Sequence, residues 1–347
     1  MPTDTNRILR TGLAAFGMAS RVFHAPLIAA EPGLDLTAVA SIRPEAVAEA
    51  LPDVRVLPDP LTLCRDSEID LVVITTPNDT HAPLAEAALG AGKHVVVEKP
   101  FTLSAWEAER LLRMAERSGL TLTVFQNRRW DSDFLTLRNV IASGRIGRPV
   151  QLESHFDRFR PIVPDRWRDR PGSGSGLWYD LGPHLLDQAL QLFGMPEGMT
   201  VDLASLRDGA QTDDYLHAVL DYDRLRVILH ATTLAAAEAP RFVLHGTSGS
   251  FEIRGLDPQE GQLKAGMRPG QPGWGEGAPD GTLIGAHGEE PVARRAGDYR
   301  PFYTGVRAAI ETGALPPVTP QEALDLMRML DAGRASAREG RRIRLQM

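Results

Sequence analysis

The sequence predicts an α/β protein: an N-terminal Rossmann-type, doubly wound parallel sheet, then a second α/β domain with a large, mainly antiparallel open sheet. Three observations predict this. The first third alternates short apolar runs with amphipathic stretches, the pattern of βαβ units. Beyond about residue 127, apolar residues recur at every second position, as in strands with one wet face. Finally, 347 residues exceed what one ordinary core holds. The change of texture sets the boundary, giving a first domain of residues 1–126 and a second of residues 127–347.

In chain order, the apolar runs 9–15, 36–41, 71–75 and 95–98 read as strands, each followed by a helical stretch. Ser104 with Glu107 forms a capping box at the start of a helix over 105–118, and Gly119 stands where a helix end wants a left-handed residue. Residues 120–125 read as another buried strand. The second domain opens with a helix over 135–143 and continues with strands at 150–156, 215–221, 225–232 and 241–244. Residues 255–290 are crowded with glycine and proline and lack periodicity, which predicts an extended arm or a functional loop. An amphipathic helix over 320–338 closes the chain.

Composition excludes several classes. Apolar residues at 43% and charged residues at 24% describe a globular chain, not a disordered or fibrous one. A net charge of -7 offers no basic field for a phosphate backbone, so nucleic acid is not an expected partner. No apolar run reaches the ~18 residues of a membrane span, and the first residues lead into a strand, not a signal sequence. A cytoplasmic protein without membrane attachment is expected. Cys64 is the only cysteine, which rules out an internal disulfide and reads as a buried structural thiol. His94, His217, His230 and His245 lack the spacing of a ligand set, and no metal is expected.

Between the first strand and helix runs Gly12-Leu13-Ala14-Ala15-Phe16-Gly17-Met18-Ala19-Ser20. A dinucleotide turn needs small residues here, because the backbone bends tightly and the helix N-terminus aims its N–H groups at a pyrophosphate. Ala15 and Ser20 stand where that pattern has its first and third glycines, leaving Gly17 in register; a plain strand-to-helix turn also fits. The place at the first βα junction favours a dinucleotide bound along Ala15, Phe16, Gly17 and Met18. The second strand ends in Ser41-Ile42-Arg43, with no carboxylate before Glu45. NAD sites put an acid there for the ribose 2′-hydroxyl, whereas a 2′-phosphate suits hydroxyls and the planar fork of arginine. Ser41 and Arg43 therefore predict NADP in preference to NAD, against the alternative of a solvated loop arginine.

The lysines are Lys93, Lys99 and Lys264 alone. Lys99 follows the fourth strand in Glu98-Lys99-Pro100, at the end of the sheet where ligands bind, and can donate to a substrate oxygen; a surface lysine is the alternative. Asp180 and His184, four apart at the start of a helix, share one face, so a carboxylate can orient an imidazole acting as general base. A capping aspartate beside a packed histidine fits the spacing equally. Pro183 is read as lying in the first helical turn, where its missing N–H costs nothing.

Together with Thr75-Thr76-Pro77-Asn78 and His81, these motifs resemble the Gfo/Idh/MocA oxidoreductase family over nearly the whole chain. Phe23-His24-Ala25-Pro26, the run from Asn127 to Asp131, that from Ser154 to Arg160 and Gly255 to Glu260 are similar to NADP-dependent scyllo-inositol dehydrogenase-like members. The resemblance implies Lys99, Asp180 and His184 as the catalytic set, and Thr75, Thr76, Pro77, Asn78, His81 and Glu98 along the dinucleotide. It also implies a homodimer on the open sheet face, with a tetramer as the extension of that state. Asn127, Arg128, Trp130, Arg158, Trp167 and Tyr179, with Lys99 and His184, are read as a polar and aromatic wall for a polyhydroxylated ring, whose faces are apolar and edges polar. Trp178 is a further candidate, and for each aromatic plain packing is the alternative.

The function expected is hydride transfer between NADP and a secondary alcohol or ketone of a cyclic polyol or sugar. Two others stay open: an NADP-sensing regulatory protein of the same fold, which needs no proton relay, and aldose, glucose-fructose or biliverdin-type chemistry.

Overall fold

The computed structural model describes residues 7–172 and 174–345. The described strands form one six-stranded and one nine-stranded sheet. The chain divides into two compact units that are not consecutive stretches. The first takes the residues up to Asn127 with Glu260–Trp274 and Asp298–Met327; the second takes Arg128–Gln259, Gly275–Gly297 and the residues from Arg328 on.

The first unit holds β1 (Leu9–Leu13), β2 (Leu34–Ala40), β3 (Arg55–Leu57), β4 (Leu71–Ile74), β5 (His94–Val97) and β6 (Leu122–Val124). Their order is β3-β2-β1-β4-β5-β6, and every neighbouring pair is parallel. Helices α1 (Ala25–Ala29), α2 (Pro44–Ala50), α3 (Pro60–Arg65), α4 (His81–Gly90) and α5 (Ala105–Ser118) alternate with them. Leu71 to Ile74 and Val95 to Val97 are all buried, since a central parallel strand is covered on both faces. The strand order reverses at β1, whose neighbours are β2 and β4, and such a switch point opens a ligand crevice at the strand C-termini. Around α5, Ser104 Oγ accepts the Glu107 N–H at 3.3 Å, the Glu107 carboxylate accepts the Leu103 N–H at 3.0 Å, and Gly119 takes φ +64°.

The chain continues through α6 (Ser132–Ala142), β7 (Pro149–His155), α7 (Leu177–Phe193), β8 (Gly198–Ala204), β9 (Tyr215–Tyr222), β10 (Leu225–Thr232), β11 (Phe242–Gly246) and β12 (Gly249–Ile253). Then come α8 (Gln259–Lys264), β13 (Gly281–Gly285), β14 (Gly288–Val292), α9 (Arg300–Thr312), α10 (Pro320–Glu339) and β15 (Ile343–Arg344). The second sheet has the order β14-β13-β12-β11-β7-β10-β9-β8-β15, antiparallel throughout except for the parallel pair β7 and β10. Leu152, Leu216, Ala218, Val227, Leu229, Phe242 and Leu244 point to the covered side, and α7 lies against β9 and β10. The alternate positions stay half-exposed, as the period-2 pattern requires.

Residues 255–290 are not a structureless arm: they contain α8, the whole of β13 and the start of β14, which closes a hairpin at the sheet edge. Glycine hid this hairpin. A Cβ on Gly281 would come within 2.5 Å of the Phe251 ring, so β13 begins with glycine where two strands approach closely, and Gly288 turns the hairpin at φ +114°.

Candidate active site

In the first unit, β1 runs into the turn that carries the glycine motif. Among the described residues only glycines take positive φ, so Ala15 fits the turn in an ordinary conformation. A Cβ on Gly17 would meet nothing within 4 Å: the backbone there is bare and faces open space, which is the fit a pyrophosphate needs. Ser20 Oγ donates to the Ala15 carbonyl at 2.7 Å, which leaves the Thr75 hydroxyl, also at 2.7 Å, to donate to Ser20. Ser20 thus ties the turn to the end of β4. Phe16 is buried and Met18 is exposed. After β2, Ser41 Oγ accepts the Arg43 N–H at 3.0 Å, and the exposed Arg43 guanidinium makes no hydrogen bond among the described residues. Ile42 is 91% exposed beside it.

Beyond β4, Thr76 is half-buried, Pro77 exposed and Asn78 buried. His81 lies wholly inside. Its Nδ1 is 2.8 Å from the Pro100 carbonyl and its Nε2 is 3.0 Å from that of Thr76, so it staples the loop after β4 to the loop after β5. Burial pushes its pKa down, against the pull of the two carbonyls.

The loop after β5 carries Glu98 and the half-buried Lys99, joined to Pro100 by a cis peptide bond. Glu98 Oε2 accepts the Lys99 backbone N–H at 2.9 Å, and Oε1 is 3.0 Å from His24 Nε2. His24 Nδ1 in turn is 2.6 Å from the Tyr303 hydroxyl of α9. Burial pushes the Tyr303 phenol well up, so Tyr303 keeps its proton and donates it to Nδ1, which leaves Nε2–H to donate to Glu98. Burial alone would raise the Glu98 carboxyl; the His24 hydrogen bond and the Lys99 charge outweigh it and hold the group below the usual carboxylate range. No local signal marks Tyr303, which reaches this network because α9 packs its Phe302 and Tyr303 on Phe125.

In the second unit, α7 starts at Gly176, whose φ of +88° and contact with the Asp213 carboxylate leave no room for a side chain. Asp213 accepts the Trp178 N–H at 2.6 Å and so does the capping. Asp180 is left half-buried in the first turn with Arg168 Nε 3.9 Å away, and His184 is buried one turn further along the same face. Pro183 lies in the second turn, not the first, and its ring removes the bond to the Tyr179 carbonyl. Phe156 flanks His184 at 6.5 Å between ring centroids.

The remaining candidates divide. Arg128 is buried, bonded to Asp131 at 3.1 Å and stacked 4.9 Å from Phe156. Arg129 grips Asp187 through two bonds of 2.9 and 2.7 Å, a purely internal fork. Trp178 is core: its indole donates to the Leu330 carbonyl. Tyr179 is buried and its hydroxyl accepts from Arg334 at 2.8 Å. Arg158 is half-buried, Trp167 is exposed under the Arg168 guanidinium, and Trp130 receives a bond from Gln259 at its carbonyl. Asn127, at the end of the first unit's N-terminal stretch, is buried.

A parallel sheet with a bare glycine turn at its switch point, and a loop lysine whose backbone N–H is held by a half-buried glutamate, define a class: the NAD(P)-binding oxidoreductases of Rossmann type. Residues 9–126 match the description "Oxidoreductase family, NAD-binding Rossmann fold" and residues 138–345 "Oxidoreductase family, C-terminal alpha/beta domain", and the chain belongs to the Gfo/Idh/MocA oxidoreductase family. It is 51% identical over 334 residues to the oxidoreductase YdgJ of Escherichia coli (strain K12), covering 95% of this chain and 96% of that one. It is 37% identical over 344 residues to the scyllo-inositol 2-dehydrogenase (NADP(+)) IolW of Bacillus subtilis (strain 168), covering 97% and 96%. The solved structure of the YPO2259 protein of Yersinia pestis superposes with a TM-score of 0.94 at 49% identity, covering 98% of each chain.

Proposed function

We propose that the protein transfers a hydride between NADP and the secondary alcohol or ketone carbon of a cyclic polyol or sugar. The observation that carries this reading is the carboxylate and imidazole of Asp180 and His184 on one face of α7, with the capping duty taken by Asp213. The similarity to IolW supports the substrate class and the cofactor.

The bare turn from Ala15 to Met18 receives the pyrophosphate, Ser41 and Arg43 the 2′-phosphate, and the exposed Ile42 offers apolar surface to the adenine. Thr75 to Asn78 and Glu98 line the nicotinamide half. When bound, NADP supplies the hydride acceptor; the protons are handled by side chains. His184 takes the hydroxyl proton, because an imidazole titrates near neutrality. Asp180 orients the ring and offsets its charge. Lys99 donates to the substrate oxygen, on a loop fixed from behind by Glu98, His24 and His81. Arg158, Trp167 and Tyr179 contribute to the wall that receives the ring. We further propose a cytoplasmic homodimer formed on the outer face of the second sheet, where Val219, Ile228 and Val243 share one register row with Glu153; light scattering at micromolar concentration should return twice the chain mass.

Absorbance of the reduced nicotinamide, followed with NADP and with NAD against inositols, aldoses and their keto forms, tests the function. Turnover with NADP on an inositol or sugar is the expected result. No turnover on any polyol or sugar with either dinucleotide contradicts the reading.

A further inference from the structure

The outer face of the second sheet brings three histidines into one register row, His155 of β7 opposite His230 of β10 and His230 opposite His217 of β9. Asp157 joins them from the residues after β7. Its Oδ2 lies 3.2 Å from His155 Nδ1 and its Oδ1 lies 3.7 Å from His230 Nε2. One ring nitrogen from each of these two histidines and one carboxylate oxygen all fall within 4.8 Å of one another.

Ordinary packing explains half of this arrangement. A hydrogen bond to His155 accounts for Asp157 Oδ2, but Oδ1 is buried and has no hydrogen-bond partner among the described residues. A gap of 3.7 Å is too long for a hydrogen bond. It is close to the ~3.4 Å that separates two ligands on one tetrahedral cation with bonds of about 2.0–2.1 Å. The far sides of both rings fit the same reading. His155 Nε2 faces Glu153 Oε2 at 3.5 Å, and His230 Nδ1 faces His217 Nδ1 at 3.4 Å. With those nitrogens carrying the protons, the lone pairs of His155 Nδ1 and His230 Nε2 point at Asp157, which is how an outer carboxylate or imidazole sets the tautomer of a metal-binding histidine. A cavity of about 290 Å³, lined by His155, Asp157, Arg158, Ala236 and Leu256 among others, opens beside the cluster.

We propose that His155 Nδ1, the Asp157 carboxylate and His230 Nε2 form a binding site for a divalent first-row cation of the Zn²⁺ type, oriented from behind by Glu153 and His217. Two imidazoles and one carboxylate suit such an ion and leave a coordination position toward the cavity. The sequence hides the set, because its members are brought together by strand register alone.

Untagged full-length protein, stripped with chelator, is titrated with Zn²⁺ by calorimetry and with Co²⁺ by visible absorption. Saturable binding of one ion per chain is expected, together with the intense bands of low-coordinate Co²⁺. Asp157→Asn and His230→Gln should abolish it, and Glu153→Gln should weaken it about 10- to 100-fold, the range for outer-shell partners. Metal-free melts by circular dichroism establish that each variant is folded, and the Co²⁺ spectrum of the parent protein needs no variant. Absence of saturable binding at millimolar Zn²⁺, or binding unchanged in folded Asp157→Asn, overturns the proposal.

Discussion

Replacing His24 by leucine tests the buried chain behind Lys99. Leucine fills nearly the volume of the imidazole, so the cavity cost is small and the loss is electrostatic. His24 and its partner Tyr303 are fully buried, and the Glu98 side chain is 12% exposed. Losing a hydrogen bond to a charged group costs about 1.5–3 kcal/mol, and leaving the charge buried without its partner brings the total to about 3–5 kcal/mol. The Tyr303 hydroxyl, deprived of its 2.6 Å acceptor, adds about 1–3 kcal/mol, part of which Tyr303→Phe in the same chain should restore. The sign with pH follows from the direction of the shift. In the parent protein Glu98 is held low, so its contribution is present above the unfolded carboxylate range and disappears as pH falls through the folded pKa. Without His24, burial dominates and the pKa rises, so the variant loses stability as pH rises. Urea unfolding followed by circular dichroism should therefore show a larger gap between parent and His24→Leu near pH 8 than near pH 5. An equal gap at both pH values would refute the assignment of an ionised, His24-bonded Glu98.

Three further outcomes follow from the same geometry. Arg43→Asp should reverse much of the preference for NADP over NAD by setting a like charge against the 2′-phosphate, and equal affinities of the parent protein for both dinucleotides would remove the premise. Gly333→Ala drives a Cβ into the Trp178 indole and should cost about 1–3 kcal/mol in urea unfolding, with a smaller loss when Trp178→Phe is also present; a neutral effect counts against the packing described. Burial pushes the Cys64 thiol up to about 11, so it should resist a disulfide reagent at pH 8 in the native protein and react once unfolded, and rapid native reaction would contradict its burial.

What the sequence reveals depends on the range of the interactions. Central parallel strands read as apolar runs, unbroken in β4 and in Val95 to Val97 of β5 and interrupted in β1 and β2, and local caps mark α5 to the residue. The period-2 strands β7, β9, β10 and β11 show for the same reason. β3 is three residues, one exposed and two half-buried, and leaves no run, and β13 is masked by glycines, of which packing against Phe251 demands Gly281. In the site, the Lys99 loop and the Asp180 and His184 face of α7 are local and legible. The Tyr303 hydroxyl, the Asp213 cap and the His155, His217 and His230 row depend on register and packing between distant segments, which periodicity does not encode. His217 and His230 therefore show no ligand spacing in the chain, and Pro183 looks like a first-turn residue because the true cap is remote.

If Lys99, Asp180 and His184 serve one proton-transfer step, the turnover of His184→Ala, Lys99→Ala and the double variant on a confirmed substrate, measured beside NADP affinity, reports it. His184→Ala should lose about 10² to 10⁴ in kcat, with NADP affinity nearly intact, and adding Lys99→Ala should cost far less than the product of the single effects. Full turnover in His184→Ala, or losses that multiply, would contradict it.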